Sequence, residues 1–333
     1  MASRMTEQPN DQNTERSFDL NVRAGVIADR VAFYAAEFGV IVHDLPSGAR
    51  VIDAGVTAPG GLGAGQAMAH ICMGGLGHAS FVPLSIGGES YQGVQVWTDH
   101  PAIACMASQY AGWAIQLDKF FAMGSGPLRI LARVEQALFD KLGYTERAHR
   151  GVLVMEGRTL PTDDVVAWVS ERAGLEQSAL TIIVAPTASA AGGVQIAARI
   201  IETGLHKMDA LGFDVRQVTH AIGTAPLPPV AKNDLRAIGR TNDCILYGGS
   251  VHFTVRATDA ELAELAPKVP ASASRDYGTP FYDIFQRYNK DFYAIDPLLF
   301  SPAEVRLTST ESGRTFHAGQ LNQDVLRASC YPA

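Results

Sequence analysis

The sequence is poor in cysteine and in the cysteine patterns that form metal sites. Its four cysteines, Cys72, Cys105, Cys244 and Cys330, stand far apart, and no C-x-x-C pair occurs. Structural zinc sites and disulfide frameworks need closely spaced or paired cysteines, so both are disfavoured and buried or free thiols are expected. The nine histidines show no H-E-x-x-H or comparable spacing, and the sequence therefore predicts no metal site.

Long apolar runs and an excess of positive charge are missing as well. No apolar stretch approaches the roughly 18 residues that span a bilayer, and residues 1–17 are polar, without the apolar core of a signal peptide. We therefore expect a disordered tail over 1–17, no membrane partner and a cytoplasmic location. The formal net charge of −7 argues against a nucleic-acid partner but leaves room for a local group of cations that binds a small anion.

Nucleotide and nucleophile signatures are incomplete. Gly61, Gly63 and Gly65 follow a predicted strand, but Gln66 stands where a dinucleotide fingerprint has its third glycine. No Walker loop is present, and Ser125 lacks the G-x-S-x-G frame of a nucleophile elbow. The sequence thus predicts chemistry by ordinary side chains, without a cofactor.

The composition is that of a globular protein with mixed secondary structure. Its 333 residues are 47% hydrophobic and 18% charged, enough to bury a large core. Strand and helix patterns interleave, and several strand pairs are predicted to be hairpins, which favours a mixed α/β (α+β) fold with partly antiparallel sheets. The predicted hairpins lie over Val40–Asp53, through Gly248-Gly249 and at Ser312-Gly313, and the predicted helices include Pro127–Leu142 and Ala190–Leu211.

The predicted helix Ala190–Leu211 carries a polar stripe beside its apolar face. At ~100° per residue, Gln195, Arg199, Glu202 and His206 fall within roughly 60° of one another. Arg199 and Glu202 are three residues apart, so their side chains lie side by side. One interpretation is a surface ion pair worth about 0.2–0.5 kcal/mol. The other interpretation is a stripe that lines a cleft. Ile200 lies on the remaining side of the helix and favours a cleft, because an apolar residue there indicates that more than one face of the helix is buried.

Several short segments, spread along the chain in order, form a recognisable pattern. They are Cys105–Trp113, Phe121–Pro127, Ala185–Thr187, Arg199–Glu202 with His206-Lys207, Gly239–Asp243 with Tyr247–Gly249, Phe292–Asp296 and Leu299–Ala303. In this combination the chain resembles the methenyltetrahydromethanopterin cyclohydrolase family, from about Val22 to the C-terminus. Members of that family add water to a cyclic methenyl cation and release the N-formyl carrier and a proton.

The resemblance implies a two-domain α/β protein, typically a homotrimer, that binds its pterin substrate between two lobes without a metal or redox cofactor. We accordingly expect residues 18–333 to form two intertwined lobes with a substrate cleft between them. The R-x-x-E pair of the family falls on Arg199 and Glu202. By this resemblance Glu202 is the general base that activates water, and Arg199 orients it and tunes its pKa.

The resemblance also implies a set of substrate contacts. We expect them from Ser108, Gln109, Tyr110, Gly124, Ser125, Gly126, His206, Arg240, Asp243 and Asp296. For Asp243 and Asp296, which could pair with amine groups of the pterin, a cap or structural ion pair is an equal alternative. Tyr110 stands where archaeal members carry a lysine in a phosphate-associated motif. Its presence favours the dephospho form of the carrier, in the oxidation of formaldehyde-derived one-carbon units.

Three other functions remain open from the sequence. The chain could be a cyclohydrolase for tetrahydrofolate, an inactive pterin-binding protein, or a nicotinamide-dependent methylene dehydrogenase. The intact Arg199 and Glu202 argue against the second, and Gln66 argues against the third. Rates on the two methenyl compounds would separate the first from the family activity.

Overall fold

Two six-stranded sheets organise the chain, and each of them mixes parallel and antiparallel neighbours. The computed structural model describes residues 18–291 and 294–330. The expected tail over 1–17 and the motif residues Phe292 and Tyr293 lie outside these ranges. Within them, the predicted mixed α/β fold with partly antiparallel sheets is confirmed.

The elements of the described ranges have the following bounds. The strands are β1 (Ile41–Asp44), β2 (Arg50–Asp53), β3 (Gly77–Ile86), β4 (Glu89–Thr98), β5 (Trp113–Leu117), β6 (Phe120–Ser125), β7 (Gly151–Glu156), β8 (Leu180–Ala185), β9 (Val218–Pro226), β10 (Ser250–Val255), β11 (Glu304–Ser309) and β12 (Thr315–Gly319). The α-helices are α1 (Leu20–Phe33), α2 (Ala35–Phe38), α3 (Leu62–Cys72), α4 (Leu128–Ala132), α5 (Gln136–Leu142), α6 (Asp163–Ala173), α7 (Ala190–Ala197), α8 (Ile200–Ala210), α9 (Asp234–Leu246), α10 (Asp259–Leu265), α11 (Phe281–Arg287) and α12 (Gln323–Cys330). A π-helix covers Ala102–Gln109. None of the described helices has the length and apolar character needed to cross a membrane.

The chain passes repeatedly between the two sheets. The first sheet has the order β1-β2-β8-β7-β6-β5, and the second has the order β12-β11-β10-β9-β4-β3. The chain therefore builds β1 and β2 in the first sheet, β3 and β4 in the second, β5 to β8 in the first again, and β9 to β12 in the second. Connections between the sheets consequently bring segments of both to the same place.

Burial differs between the sheets in a way that the sequence explains. β8 reads L-T-I-I-V-A and is buried along its whole length, as expected for a strand with parallel neighbours and helices on both faces. α1 and α3 cover one face of this sheet, while α4 and α6 cover the other. β10 alternates between buried and half-buried residues because α8 covers only one face of the second sheet.

Two elements differ from the sequence prediction. The helix predicted over Pro127–Leu142 is divided into α4 and α5, because Arg133 adopts a left-handed backbone with φ of 46°. The predicted hairpin through Gly248-Gly249 is wrong. α9 lies between β9 and β10 in the chain, and the two glycines join α9 to β10, although β9 and β10 are antiparallel neighbours. The hairpins β1–β2 and β11–β12 are confirmed.

A glycine in the first turn of α3 serves helix packing. α3 crosses α7 at Gly65, where an added Cβ would lie 2.6 Å from the Cβ of Val194 and 2.8 Å from the carbonyl oxygen of Ala191. Two helices can approach this closely only where a side chain is absent. At Gly63, by contrast, the nearest atom to an added Cβ would be a ring carbon of Phe38 at 3.6 Å, an ordinary contact.

Alanine substitutions at these two glycines should therefore differ in their effect on the free energy of unfolding. We expect Gly65→Ala to lower the free energy of unfolding by about 1–3 kcal/mol, because α3 must move away from α7. Gly63→Ala, the matched control in the same helix, should be neutral or stabilising by up to about 1 kcal/mol, because alanine favours the helix. Urea unfolding followed by circular dichroism measures both. Equal effects of the two substitutions would contradict the packing role of Gly65.

Candidate active site

The polar stripe lies on two helices, where the sequence predicted one. α7 ends at Ala197, α8 begins at Ile200, and the ψ angles of Ala198 and Arg199 between them are −2° and 8°. The side-chain amide of Gln109 donates a hydrogen bond of 3.0 Å to the carbonyl oxygen of Ala198. A side chain that enters the helical hydrogen-bond ladder in this way breaks or bends the helix. The prediction of a single helix was wrong because this partner is 89 residues away in the chain.

Arg199 sits at the break and is held by three hydrogen bonds from three different elements. Its Nε donates to Oε1 of Gln195 at 2.9 Å, its Nη1 to the backbone oxygen of Gln109 at 2.7 Å, and its Nη2 to Oγ of Ser125 at 3.1 Å. Only 8% of its side chain is exposed. The guanidinium group is thus fixed in position before any ligand arrives.

Glu202 lies in the first turn of α8, beside Arg199. One Glu202 carboxylate oxygen, Oε2, is 4.0 Å from Nη1 of Arg199, which is an ionic contact but too long for a hydrogen bond. No group within 18–291 or 294–330 donates a hydrogen bond to this carboxylate, although only 6% of the side chain is exposed. Its oxygen lone pairs are therefore available to a small molecule. The interpretation of this pair as a surface ion pair is wrong.

Three charges and a helix end act on the pKa of Glu202. Burial raises the pKa above its ordinary value of 4.5, while the positive charges of Arg199, His206 and Arg129 oppose that rise. The break before α8 also places Glu202 at a helix N-terminus, where unpaired backbone N–H groups and the helix dipole favour the ionised form. The result is a buried carboxylate whose pKa lies above its ordinary value, which makes it a better proton acceptor than an exposed glutamate.

Aromatic rings extend the site along the same stripe. The ring of Tyr110 stacks on His206 with 5.1 Å between centroids and 20° between planes. The guanidinium carbon of Arg129 lies 5.1 Å from the Tyr110 centroid, within cation–π range. Arg129 is fully buried and also donates a 2.6 Å hydrogen bond to the carboxylate of Glu135. The positive charge of Arg129 thus lies next to Tyr110, the residue that occupies the position of the lysine in the sequence pattern.

Of the predicted pocket residues, Gln109 and Ser125 contact Arg199 directly, and Ser108, Gly124 and Gly126 are their neighbours in the chain. Ser108 Oγ donates to the Cys72 carbonyl at 2.6 Å, and the Gly126 amide donates to the Ser108 carbonyl at 2.8 Å. Gly126 has a φ of 97°, a backbone conformation that favours glycine. Gly124 and Ser125 belong to β6, next to β7. Their role in substrate binding stays a prediction.

One side-chain atom of Gln109 has no hydrogen-bond partner in the described part of the chain. The side chain is fully buried, and its Nε2 bonds to Ala198, but its Oε1 has no hydrogen-bond partner among the described residues. A buried acceptor without a donor costs about 1–3 kcal/mol, so such atoms are rare outside functional sites. Gln109 Oε1 is therefore a candidate acceptor for a ligand N–H group.

Glu156 belongs to this site and was missed in the sequence analysis. It ends β7, pairs with Met123 and Ala185, and accepts a hydrogen bond from the Thr187 hydroxyl. Burial raises its pKa, and the nearby charge of Arg199 lowers it. The only available signal was the position of a carboxylate at the carboxyl end of a buried strand with a parallel neighbour, where ligands often bind. A single carboxylate without a recognisable spacing to other polar residues forms no motif in the sequence.

Three predicted residues make their contacts elsewhere. Arg240 donates to the backbone oxygen of Pro229 at 3.2 Å. Asp243 is fully buried between α9, α11 and α12, where it accepts hydrogen bonds from the Phe281 amide and the Ser329 hydroxyl. Asp296 caps a 3₁₀ turn by accepting from the Leu298 amide at 3.0 Å, and also accepts from the Ser274 hydroxyl at 2.6 Å. The predicted alternative of a cap thus describes Asp296, whereas Asp243 accepts tertiary hydrogen bonds and forms no ion pair among the described residues. A substrate contact by either aspartate stays a prediction.

Comparison with known proteins identifies the family. A family model described as "Cyclohydrolase (MCH)" matches residues 19–330. The chain is 41% identical to the methenyltetrahydromethanopterin cyclohydrolase of Methanospirillum hungatei over 92% of this chain and 96% of that protein. It is 46% identical to the protein of the same name from Methylobacillus flagellatus, over 87% and 88% of the two chains. A third, from Rhodopirellula baltica, is 44% identical over 85% and 86%.

The chain belongs to the MCH cyclohydrolase family. The resemblance stated from the sequence motifs is confirmed, and it extends over nearly the whole length of the relatives. In this member of the family, the R-x-x-E pair forms the buried Arg199–Glu202 contact at the helix break.

The contacts of Asp243 predict a pH-dependent loss of stability. Burial raises the pKa of Asp243 from 3.8 to about 7, although the Ser329 and Phe281 donors oppose the rise. Between these two pH values the folded protein keeps this proton and the unfolded chain loses it, so stability falls as pH rises. Asp243→Asn removes this loss. We expect the unfolding free energy of the variant, relative to wild type, to increase from pH 4 to 7 by up to about 4 kcal/mol.

Urea unfolding at several pH values measures this difference. Asp118→Asn, at an exposed aspartate in the turn between β5 and β6, is the matched control and should show a much smaller change with pH. A pH-independent difference for Asp243→Asn would show that this carboxyl group is ionised in the folded protein throughout the range.

Proposed function

We propose that this chain catalyses the reversible hydrolysis of methenyl-tetrahydromethanopterin to the N-formyl carrier, in one-carbon metabolism and formaldehyde oxidation. Family membership supports the reaction, and one observation about the site carries it. Glu202 is a buried carboxylate that no described protein donor occupies, 4.0 Å from an arginine fixed by three hydrogen bonds. Such a group can hold a water molecule and take its proton.

The methenyl carbon is already an electrophile, because the two nitrogens that flank it share a positive charge. The oxygen of the water forms a bond to this carbon while Glu202 takes one water proton, which gives a neutral hydroxy adduct. Glu202 then returns that proton to the departing nitrogen as the carbon–nitrogen bond breaks. The hydroxyl proton passes to the Glu202 carboxylate and on to solvent, so that water and cation become the formyl carrier and one proton.

Charge in the site suits a cationic substrate. The Arg199 charge acts on two carboxyl groups, those of Glu202 and Glu156, and burial raises the pKa of each. A bound cation would favour the ionised form of both carboxyl groups, and the loss of the cation during hydration would remove that effect. Arg199 keeps Glu202 available as a base, and Glu156 adds negative charge near the reacting carbon.

Several finer assignments belong to the same proposal. Arg199, between α7 and α8, donates a hydrogen bond to Ser125 of the first sheet. This contact supports a substrate cleft between two lobes formed by residues 18–333. We propose that the reaction needs no metal or redox cofactor, since every step above uses side chains alone. Tyr110 supports the dephospho form of the carrier. A homotrimer in the cytoplasm is the arrangement that the resemblance implies.

Removal of the base tests the reaction directly. We expect Glu202→Gln to lower kcat by at least ~100-fold with KM nearly unchanged, because a positioned general base contributes about 10²–10⁴ in rate. The loss of methenyl absorbance, without added metal or nucleotide, measures the rate. Glu304→Gln is the control and should retain wild-type turnover. Glu304 is a half-buried glutamate that forms an ion pair with Arg306 on the same strand, β11. A Glu202→Gln enzyme with most of its activity would remove Glu202 from this role.

The pH dependence of the rate tests the role of Arg199. Glu202 must be ionised to accept a proton, so kcat should rise with pH through its pKa. Arg199 lowers that pKa, and Arg199→Gln should therefore move the rising limb of the profile to higher pH. Ser125→Ala removes one hydrogen bond from Arg199 but keeps its charge, and should leave the limb in place. Equal shifts in both variants would indicate a positioning effect and exclude the electrostatic one.

A further inference from the structure

A second concave surface lies on α9, α11 and α12. It encloses a cavity of about 520 Å³, within the range of small-molecule sites. It is lined by Lys232 before α9, by Arg236 and Arg240 on α9, by Tyr282 and Asp283 on α11, and by Ser329 on α12. Of these residues, only Arg240 was singled out from the sequence, and the reaction proposed above uses none of them.

The three cations of this cavity form no ion pair among the described residues, although Asp283 also lines the cavity. Within the described part of the chain, no carboxylate oxygen lies within 4.0 Å of the side-chain nitrogens of Lys232, Arg236 or Arg240. Asp234, which lies among them in the sequence, pairs with Arg158 instead. Arg236 and Arg240 are four residues apart on one helix, where like charges destabilise each other. In a chain of net charge −7, three such cations and one carboxylate, Asp283, leave an excess of positive charge around this cavity, which favours an anionic ligand.

The guanidinium groups are held in fixed orientations. The guanidinium carbon of Arg236 lies 3.7 Å from the ring centroid of Tyr282, a close cation–π contact. Arg240 is half-buried and uses one nitrogen, Nη1, to bond the Pro229 carbonyl. Both groups can therefore present their other N–H donors to a ligand in a planar arrangement, which suits phosphoryl and carboxylate oxygens.

The beginning of α9 adds to the positive potential of the cavity. Asn233 also lines the cavity, and its side chain caps α9 by accepting from the Arg236 amide at 3.0 Å. α9 has 13 residues, so its N-terminus carries the positive end of a full helix dipole. The dipole and three side-chain cations thus act on the same volume.

We propose that this cavity is a binding site for a phosphoryl group carried by a small molecule. A doubly charged phosphoryl group would neutralise the facing arginines and bind the planar N–H groups with its oxygens. The volume leaves room for the rest of the molecule, and Asp283 and Ser329 can bind its hydroxyl or amine groups. Since Tyr110 supports the dephospho carrier as substrate, a separate metabolite is the expected source of the phosphoryl group, and a phosphorylated carrier is the other source that the experiment distinguishes.

Calorimetric titration of the full chain with inorganic phosphate and with pyrophosphate, at constant ionic strength, tests the site. We expect the double variant Arg236→Gln/Arg240→Gln to bind both probes at least ~10-fold more weakly than wild type. The control Arg30→Gln/Arg256→Gln changes the net charge equally at two exposed arginines, and should bind within about twofold of wild type. Circular dichroism and urea unfolding check that all variants are folded.

Two results would overturn the proposal: a wild-type chain that binds neither probe, or a double variant that binds as tightly as the control. The calorimetric readout needs no turnover, so it stands or fails separately from the cyclohydrolase reaction. The source of the phosphoryl group follows from kinetics of the wild-type enzyme. Competition between inorganic phosphate and a phosphorylated carrier would assign the cavity to the carrier, whereas phosphate binding without an effect on KM would assign it to a separate metabolite.

Discussion

The site depends on how Arg199 is held. Three acceptors from α7, the π-helix and β6 bind its guanidinium nitrogens and leave its charge 4.0 Å from a carboxylate that they do not touch. A closer, bidentate contact would occupy the oxygens of Glu202 and would lower its pKa strongly. The observed spacing instead stabilises the negative charge while it leaves the oxygen atoms open. Gln195, Gln109 and Ser125 therefore fix, through Arg199, the positive charge that acts on Glu202.

The helix break and the position of Glu202 have one cause. Gln109 bonds to Ala198 through its side chain and to Arg199 through its backbone oxygen, so one residue both interrupts the helix and fixes the guanidinium. The interruption creates a new helix start, with Glu202 in its first turn. Without it, Glu202 would lie in the interior of a long helix, where backbone N–H groups are already bonded. Gln109 belongs to a π-helix, an element that is frequent at functional sites.

Much of this arrangement could be predicted from the sequence. The 3.6-residue period placed Gln195, Arg199, Glu202 and His206 on one stripe, and turn residues gave the hairpins β1–β2 and β11–β12. Other features depend on contacts between distant residues and leave no local pattern. The helix break requires Gln109, and the role of Glu156 requires β7 to end beside Arg199. The structural contacts of Asp243 could not be separated from a ligand role, because a buried and an exposed carboxylate look alike in a sequence.

The order in which strands enter the two sheets has a consequence for synthesis of the protein. β2 leaves the ribosome long before β8, its parallel neighbour, and β4 likewise precedes β9 by more than a hundred residues. The early strands must therefore wait, with apolar surface exposed, until the later part of the chain arrives. Neither sheet can be completed by one half of the polypeptide. Fragments that stop before β9 should consequently depend on chaperones and aggregate readily, and the two sheets should mature together as one cooperative unit.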